Sequence, residues 1–262
     1  MSAEAVRVTG RRAPRAMFLH QLRSEQLVFW RSREAAFFIF LFPLLLYVLL
    51  GSVYSGKIYG VPAAQGLLAG LIGYGCANTA FAGLAIQLVL RRESGILKRL
   101  RSTPLPPAMY IVALLVSTLV VFALQTLALF VVGSALHGTP FPSDVGSFIA
   151  AIVIGAAAFA PLGTATASLI RSAEGASAVV NFILLPMAFL SGSFGPTHKL
   201  GPFLHAVADV LPLKYFIDLV NAVYLHGHAV WTRPQDLAVL AGWGVGGLVV
   251  THFKFRWEPR ER

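Results

Sequence analysis

The chain has 262 residues and a mass of 28.1 kDa, enough for one large soluble domain or two small ones. Its composition excludes both: 56% of residues are hydrophobic, 12% are charged and mean hydropathy is +0.72, whereas a soluble domain is about 25% charged. The excess of 21 Lys and Arg over 11 Asp and Glu fits either nucleic acid or cationic loops held on one side of a membrane, and the placement of those charges decides between them.

Residues 1–34 form a basic N-terminal segment. Within it, residues 17–33 read as a helix with Phe18, Leu19, Leu22, Phe29 and Trp30 on one stripe and Arg23, Arg31 and Arg33 around it. Such a helix suits the headgroup layer. The apolar run that follows is a full span without a small-residue cleavage site, so this is not a cleavable signal.

Six uncharged apolar runs come next, at 35–54, 63–90, 109–136, 148–170, 176–194 and 237–253. Each approximates the ~20 residues that a helix needs to cross a bilayer. They are continuously apolar, without the alternation of a lipid-facing barrel. The predicted fold is an all-α integral membrane protein with a six-helix transmembrane domain over 35–253. Pro43, Pro161 and Pro186 are predicted to kink the first, fourth and fifth spans.

With the N-terminus inside, 17 of the 21 Lys and Arg fall in the segments 1–34, 91–108, 171–175 and 254–262, and four on the opposite side. That asymmetry puts both termini in the cytoplasm and explains the basic pI without nucleic acid. Cys76 is the only cysteine, which excludes an intrachain disulfide. Gly51 to Lys57 matches Gly-x-x-x-x-Gly-Lys, but Ile58 stands where a P-loop needs Ser or Thr for Mg²⁺. ATP would therefore be handled by another polypeptide.

Asn78, Gln87, Gln125 and Asn181 are polar residues within spans. They suit interhelical hydrogen bonding or the lining of a pathway. Gly66-x-x-x-Gly70 and Gly242-x-x-x-Gly246 permit close helix approach, within the chain or at a dimer seam. His226 and His228, with His198, His205 or Asp236, could hold a metal in principle, but their spacing reads as ordinary surface.

Two polar segments are distinctive. The loop 91–108 can form a short helix with Ile96, Leu97 and Leu100 on one face and Lys98, Arg99 and Arg101 on another, stopped by Thr103-Pro104 and Pro106-Pro107. Apolar side chains at helical spacing in so basic a loop suit docking into a groove of a cytoplasmic partner. The segment 195–236 holds two apolar pieces, 203–211 and 213–225, divided by Pro212 and each too short to span. A pair of short re-entrant helices on the outer side, packed on protein, would satisfy their backbones.

These features together resemble type 2 ATP-binding-cassette (ABC) exporter permeases. Arg92-Glu93-Ser94-Gly95-Ile96-Leu97-Lys98-Arg99-Leu100-Arg101-Ser102-Thr103-Pro104 is similar to that family's Glu-x-Gly-Thr-Leu-x-x-Leu-x-x-Thr-Pro run. Ser191-Gly192 followed by Leu211-Pro212-Leu213-Lys214-Tyr215-Phe216-Ile217-Asp218 is similar to its Ser-Gly and Leu-Pro-x-x-Tyr-x-x-Asp pattern. Ile96 departs from the usual Thr, and Asn221 from a common basic residue.

The resemblance implies a permease without catalysis of its own in a bacterial cytoplasmic membrane. It would act as a homodimer or as a heterodimer with a similar chain. A separate cytoplasmic ATPase would bind ATP and Mg²⁺. Arg92, Glu93, Gly95, Ile96, Leu97, Leu100, Thr103 and Pro104 would form the coupling helix that the ATPase grips. Pro212, Tyr215 and Asp218 would belong to an external gate. An amphipathic drug, antibiotic or lipid-like cargo is expected, with polysaccharide or lipid export as the alternative. An ion-coupled carrier would need an ionisable residue inside a span, and the six apolar runs carry no Asp, Glu, Lys or Arg. A membrane scaffold that moves nothing is the third reading.

Overall fold

The computed structural model describes residues 14–54, 56–58, 60–103, 105–197 and 200–258. Helix α1 covers Pro14–Arg31 and α2 Arg33–Val53. A π-helical turn, Phe37–Leu41, ends two residues before Pro43 within α2. Proline offers no N–H to the carbonyl one turn back, and the wider turn accommodates that loss. A small antiparallel hairpin, β1 Lys57–Ile58 and β2 Val61–Pro62, leads into α3, Ala63–Glu93. The P-loop-like stretch thus runs from the last turn of α2 into β1, not from a strand into a helix.

Helix α4 is Ile96–Arg101, and α5 is Pro107–His137. Pro107 opens α5 where a helix needs no N–H, and Gly138 closes it at φ +60°, a conformation that favours glycine. Helix α6, Val145–Leu169, is capped by Asp144, whose carboxylate accepts from the Ser147 amide at 3.0 Å and the Ser147 hydroxyl at 2.6 Å. Then follow α7 Ala176–Leu190, α8 Pro202–Ala208, α9 Pro212–Tyr224 and α10 Pro234–Lys254.

Helix α3 is the axis of the bundle, packed by α2, α5, α6 and α9 and buried on nearly every side. Its small residues allow this: a Cβ at Gly70 would sit 2.6 Å from the Ser193 carbonyl, and one at Gly73 would sit 2.3 Å from Ile217 of α9. Helix α6 has a matching notch at Gly155, filled by the Phe216 ring. Helix α9 is thereby wedged between α3 and α6, with Leu213, Phe216, Ile217 and Val220 fully enclosed. Helix α10 lies along α6, where Gly244 and Gly247 approach the α6 backbone at Ala158 and Pro161. Gly242 and Gly246 face open space instead, so the Gly-x-x-x-Gly pair identified in the sequence is not the pair that packs against α6.

Five helices are long and apolar enough to cross a membrane: α2, α3, α5, α6 and α10. The sixth expected span is shorter. Helix α7 has 15 residues and ends at Leu190, where the chain turns through Gly192 at φ +81°. At 1.5 Å per residue it is about 22 Å long, against ~30 Å of hydrocarbon. Large apolar side chains on α2, α7 and α10, among them Leu45, Leu49, Phe182, Phe189 and Phe253, point away from the bundle, as expected of a surface solvated by lipid. The protein is an integral membrane protein built of helices.

Candidate functional site

The basic hairpin between α3 and α5 is anchored to the helix ends by two arginines. Arg91, in the last turn of α3, makes a bidentate pair with Glu25 of α1 at 2.9 and 2.6 Å and donates to the Tyr110 hydroxyl of α5 at 2.7 Å. Its guanidinium carbon also lies 5.9 Å from the Tyr110 ring centroid. Arg92 points the other way. Its Nη1 and Nη2 donate to the carbonyls of Ala167 and Ile170 at 2.9 and 2.7 Å, and its Nε to Glu93 at 3.0 Å. Those carbonyls end α6, where helix groups lack intrahelical partners and the dipole favours a cation. Both arginines are buried, Arg92 almost completely.

Between clamp and helix sits Gly95 at φ +73°, where a Cβ would be strained. It turns α3 into α4, and its carbonyl accepts from the Arg99 amide at 3.1 Å. Thr103 finishes the hairpin: its hydroxyl donates to the Leu100 carbonyl at 2.7 Å. The three apolar side chains of α4 do not share one fate. Leu97 is fully buried in the chain's own core, Leu100 is half-buried and Ile96 is exposed. The expectation that all three face a partner is corrected accordingly: Leu97 fastens the hairpin, leaving Ile96, Lys98 and Arg99 on the open side. Pro104 lies outside the described residues.

Helix α1 packs along α5. Gln26 donates to the Ser117 hydroxyl at 2.8 Å and to its carbonyl at 3.0 Å. Phe18, Leu22 and Phe29 are half-buried, while Leu19 and Trp30 of the predicted stripe remain exposed. Sequence reasoning missed Glu25, although its position carried a signal: residues 18, 22, 25 and 29 recur at helical spacing, so this carboxylate falls on the apolar face.

The four polar span residues separate into different places. Gln125 is fully buried and accepts from the Thr79 hydroxyl at 3.2 Å, while its Nε2 has no hydrogen-bond partner among the described residues. Asn78, in the π-helical stretch Ala77–Gly83 of α3, donates to the Phe38 carbonyl at 3.2 Å, inside the π-turn of α2. Gln87 is half-buried lower on α3. Asn181 is exposed on α7, with its amide bonded to the Ser177 carbonyl at 2.9 Å.

On the opposite end, Tyr215 donates to the Asp209 carbonyl at 2.7 Å and ties α8 to α9, whose first residue, Pro212, is buried. Lys214 pairs with Asp209 and holds that carboxyl below the usual range. Burial raises the Asp218 carboxyl, and the charge of Asp236 raises it further, against Lys214 and Arg233. Asp236 is itself paired with Arg233 at 2.7 Å. The His226 ring lies 3.2 Å from the Asn221 carbonyl and 5.8 Å from the His228 ring; His198 lies outside the described residues.

A polytopic helical bundle with a clamped basic hairpin between two of its membrane-length helices defines a helical integral membrane protein. Comparison with known proteins names the class. Residues 18–225 match the model of the ABC-2 type transporter family, and the chain belongs to that family, whose members are transmembrane permeases without catalytic activity of their own. The chain is 26% identical over 168 residues to the inner membrane transport permease YhhJ of Escherichia coli, covering 63% of this chain and 44% of that protein. It is 23% identical over 159 residues to the probable multidrug ABC transporter permease YbhR of the same organism, covering 60% and 43%. It is 26% identical over 136 residues to the putative transport permease YvfS of Bacillus subtilis, covering 51% and 54%. The chain thus spans about half the length of these curated relatives.

Proposed function

We propose that this chain is the transmembrane permease subunit of an ATP-driven exporter in a bacterial cytoplasmic membrane, working with a separate ABC ATPase. The observation that carries the reading is the double arginine clamp. A push or pull on α4 reaches α1 and α5 through Arg91, and α6 through Arg92, without slack in a flexible loop. The exposed Ile96, Lys98 and Arg99 are the surface for the ATPase, and ATP and Mg²⁺ belong to that subunit. Arg92, Glu93, Gly95, Leu97, Leu100 and Thr103 hold its shape, and Pro104 follows them in the motif.

In this reading the hairpin and both termini are cytoplasmic, in keeping with the distribution of Lys and Arg. Helix α7 with the turn after it makes the sixth crossing, aided by local thinning of the bilayer, which costs only fractions of a kcal/mol per ångström. Helix α1 lies at the cytoplasmic headgroup level. Two copies, or this chain and a similar one, enclose the path, to which the open face of α7 with Asn181 contributes. Asn78, Gln87 and Gln125 sit further inside. Helices α8 and α9 close the outer end, with Pro212, Tyr215 and Asp218 at the gate. The cargo is an amphipathic drug, antibiotic or lipid-like molecule, in line with YbhR being named a probable multidrug transporter permease; polysaccharide or lipid export is the alternative.

Purified permease and ATPase in vesicles test this. Substitution of Glu93 or Ile96 is expected to uncouple cargo movement from ATP hydrolysis; unchanged coupling in both variants would remove the proposed role of the hairpin. Activity that survives ATP depletion but is abolished by an uncoupler would instead favour an ion-coupled carrier.

A further inference from the structure

A groove of about 300 Å³ opens where α5 begins and where α6 and α10 end, the same end of the bundle as the basic hairpin. That volume is at the lower edge of small-ligand sites. Ile111, Leu115, Leu248, Phe255 and Trp257 form its walls. Its floor holds Thr164 and Thr251, whose hydroxyls lie 2.8 Å apart, with the Pro161 carbonyl 2.8 Å from the Thr164 hydroxyl and the Gly247 carbonyl 2.8 Å from the Thr251 hydroxyl. Each hydroxyl proton thus has an acceptor within the protein and needs none from an occupant, so the floor is chemically suited to a hydrocarbon chain.

The rim is different. His252 lines the groove and is exposed; Lys254 and Arg256, on either side of the groove-lining Phe255 in sequence, are exposed as well, and among the described residues neither cation makes an ion pair. Leu248 lies six residues before Lys254 on α10, about 9 Å along the axis at 1.5 Å per residue. The apolar groove is therefore followed directly along the chain by exposed cations, and basic sites between membrane helices bind anionic headgroups.

The geometry points to a binding site for one acyl chain of an anionic phospholipid, taken from the leaflet at this end, with its phosphate held by Lys254 and Arg256. Trp257 forms part of the slot and its ring lies 6.4 Å from that of Tyr110, the residue that receives Arg91, so an occupant would rest against the clamp of the hairpin. The site depends on the membrane reading of the fold and not on the ATPase or the cargo. Its failure would leave the coupling role of α4 untouched, and the reverse also holds.

Trp257 reports on the slot directly. With Trp30→Phe, Trp231→Phe and Trp243→Phe it is the sole tryptophan, and the full chain is reconstituted in phosphatidylcholine vesicles carrying a minor fraction of brominated phosphatidylglycerol or brominated phosphatidylcholine. Brominated phosphatidylglycerol is expected to quench Trp257 at a markedly lower mole fraction, by about fivefold for each basic residue engaged. Lys254→Gln with Arg256→Gln is expected to abolish that preference while leaving Trp257 emission in place. Thr251→Phe, which fills the floor, is expected to reduce quenching by both lipids. Equal quenching by the two lipids, or a preference that survives loss of both cations, would overturn the proposal. The charge variants lie at the surface, so their result stands even if the filled groove fails to fold.

Discussion

Replacing Glu25 with Ala isolates what holds α1 to the bundle. The carboxylate is 3% exposed, and its two hydrogen bonds to Arg91 are 2.9 and 2.6 Å long. Their removal leaves a buried guanidinium with only the Tyr110 hydroxyl among these partners. Breaking a buried pair on one side costs about 3–5 kcal/mol. The lower end applies here, because the Arg91 side chain retains 10% exposure and is not fully sealed from water. About 3 kcal/mol corresponds to a roughly 150-fold increase in the open population, and the part that opens is α1, whose other polar tie is Gln26 to Ser117. Amide hydrogen exchange on the reconstituted chain reads this as faster exchange confined to the α1 amides, with α3 and α5 unchanged. The double variant Glu25→Met, Arg91→Leu removes both charges and is expected to restore most of the protection, to within about 1 kcal/mol. Exchange in α1 that stays within threefold of the native rate after Glu25→Ala would mean that the pair does not hold α1 to the bundle.

Three further outcomes follow from the same geometry. Arg92→Lys replaces a planar fork that reaches two carbonyls with a point charge that cannot match its geometry, and the loss of one charge-assisted bond is expected to cost about 1.5–3 kcal/mol, measured as a fall in the denaturation midpoint in detergent. Gly73→Val would place its Cβ 2.3 Å from Ile217; overpacking of about 1–3 kcal/mol is expected, with faster protease access to the 195–236 segment, and native resistance would contradict the wedge. Asp218, with its carboxyl raised by burial and Asp236, favours the folded state most below the ordinary carboxylate pKa of about 3.9, and that advantage is lost as pH climbs through its raised folded value. Asp218→Asn is therefore expected to gain stability relative to the native chain as pH rises from 4 to 7, and parallel melting curves for the two proteins would contradict the assignment.

The membrane-length helices were legible because each rests on an uncharged run, a pattern set by solvent rather than by neighbours. Their ends were less so. Helix α3 continues through Arg91–Glu93, where the two arginines are buried against α1, α5 and α6 instead of hydrated. The hairpin motif was readable, but the direction of Leu97 was not, since which apolar side chain of a six-residue helix turns inward depends on how the preceding Gly95 turn aims it. The Glu25–Arg91 pair joins residues 66 apart in sequence, beyond the reach of local spacing. The shortness of α7 had a local cause, the turn at Gly192, hidden within a run whose length alone suggested a full span. The seating of α9 depended on two glycine notches, Gly73 and Gly155, in helices far from it in the chain.

In the proposed complex, α4 is where an ATPase takes hold. A photo-crosslinking amino acid at position 96, where the native side chain is exposed, placed in the chain in its own membrane and followed by mass spectrometry of the adduct, tests it directly. An adduct is expected with a soluble nucleotide-hydrolysing subunit carrying Walker motifs, absent when the same probe replaces the buried Leu97. Adducts only with lipid or with proteins facing the outer side would contradict it.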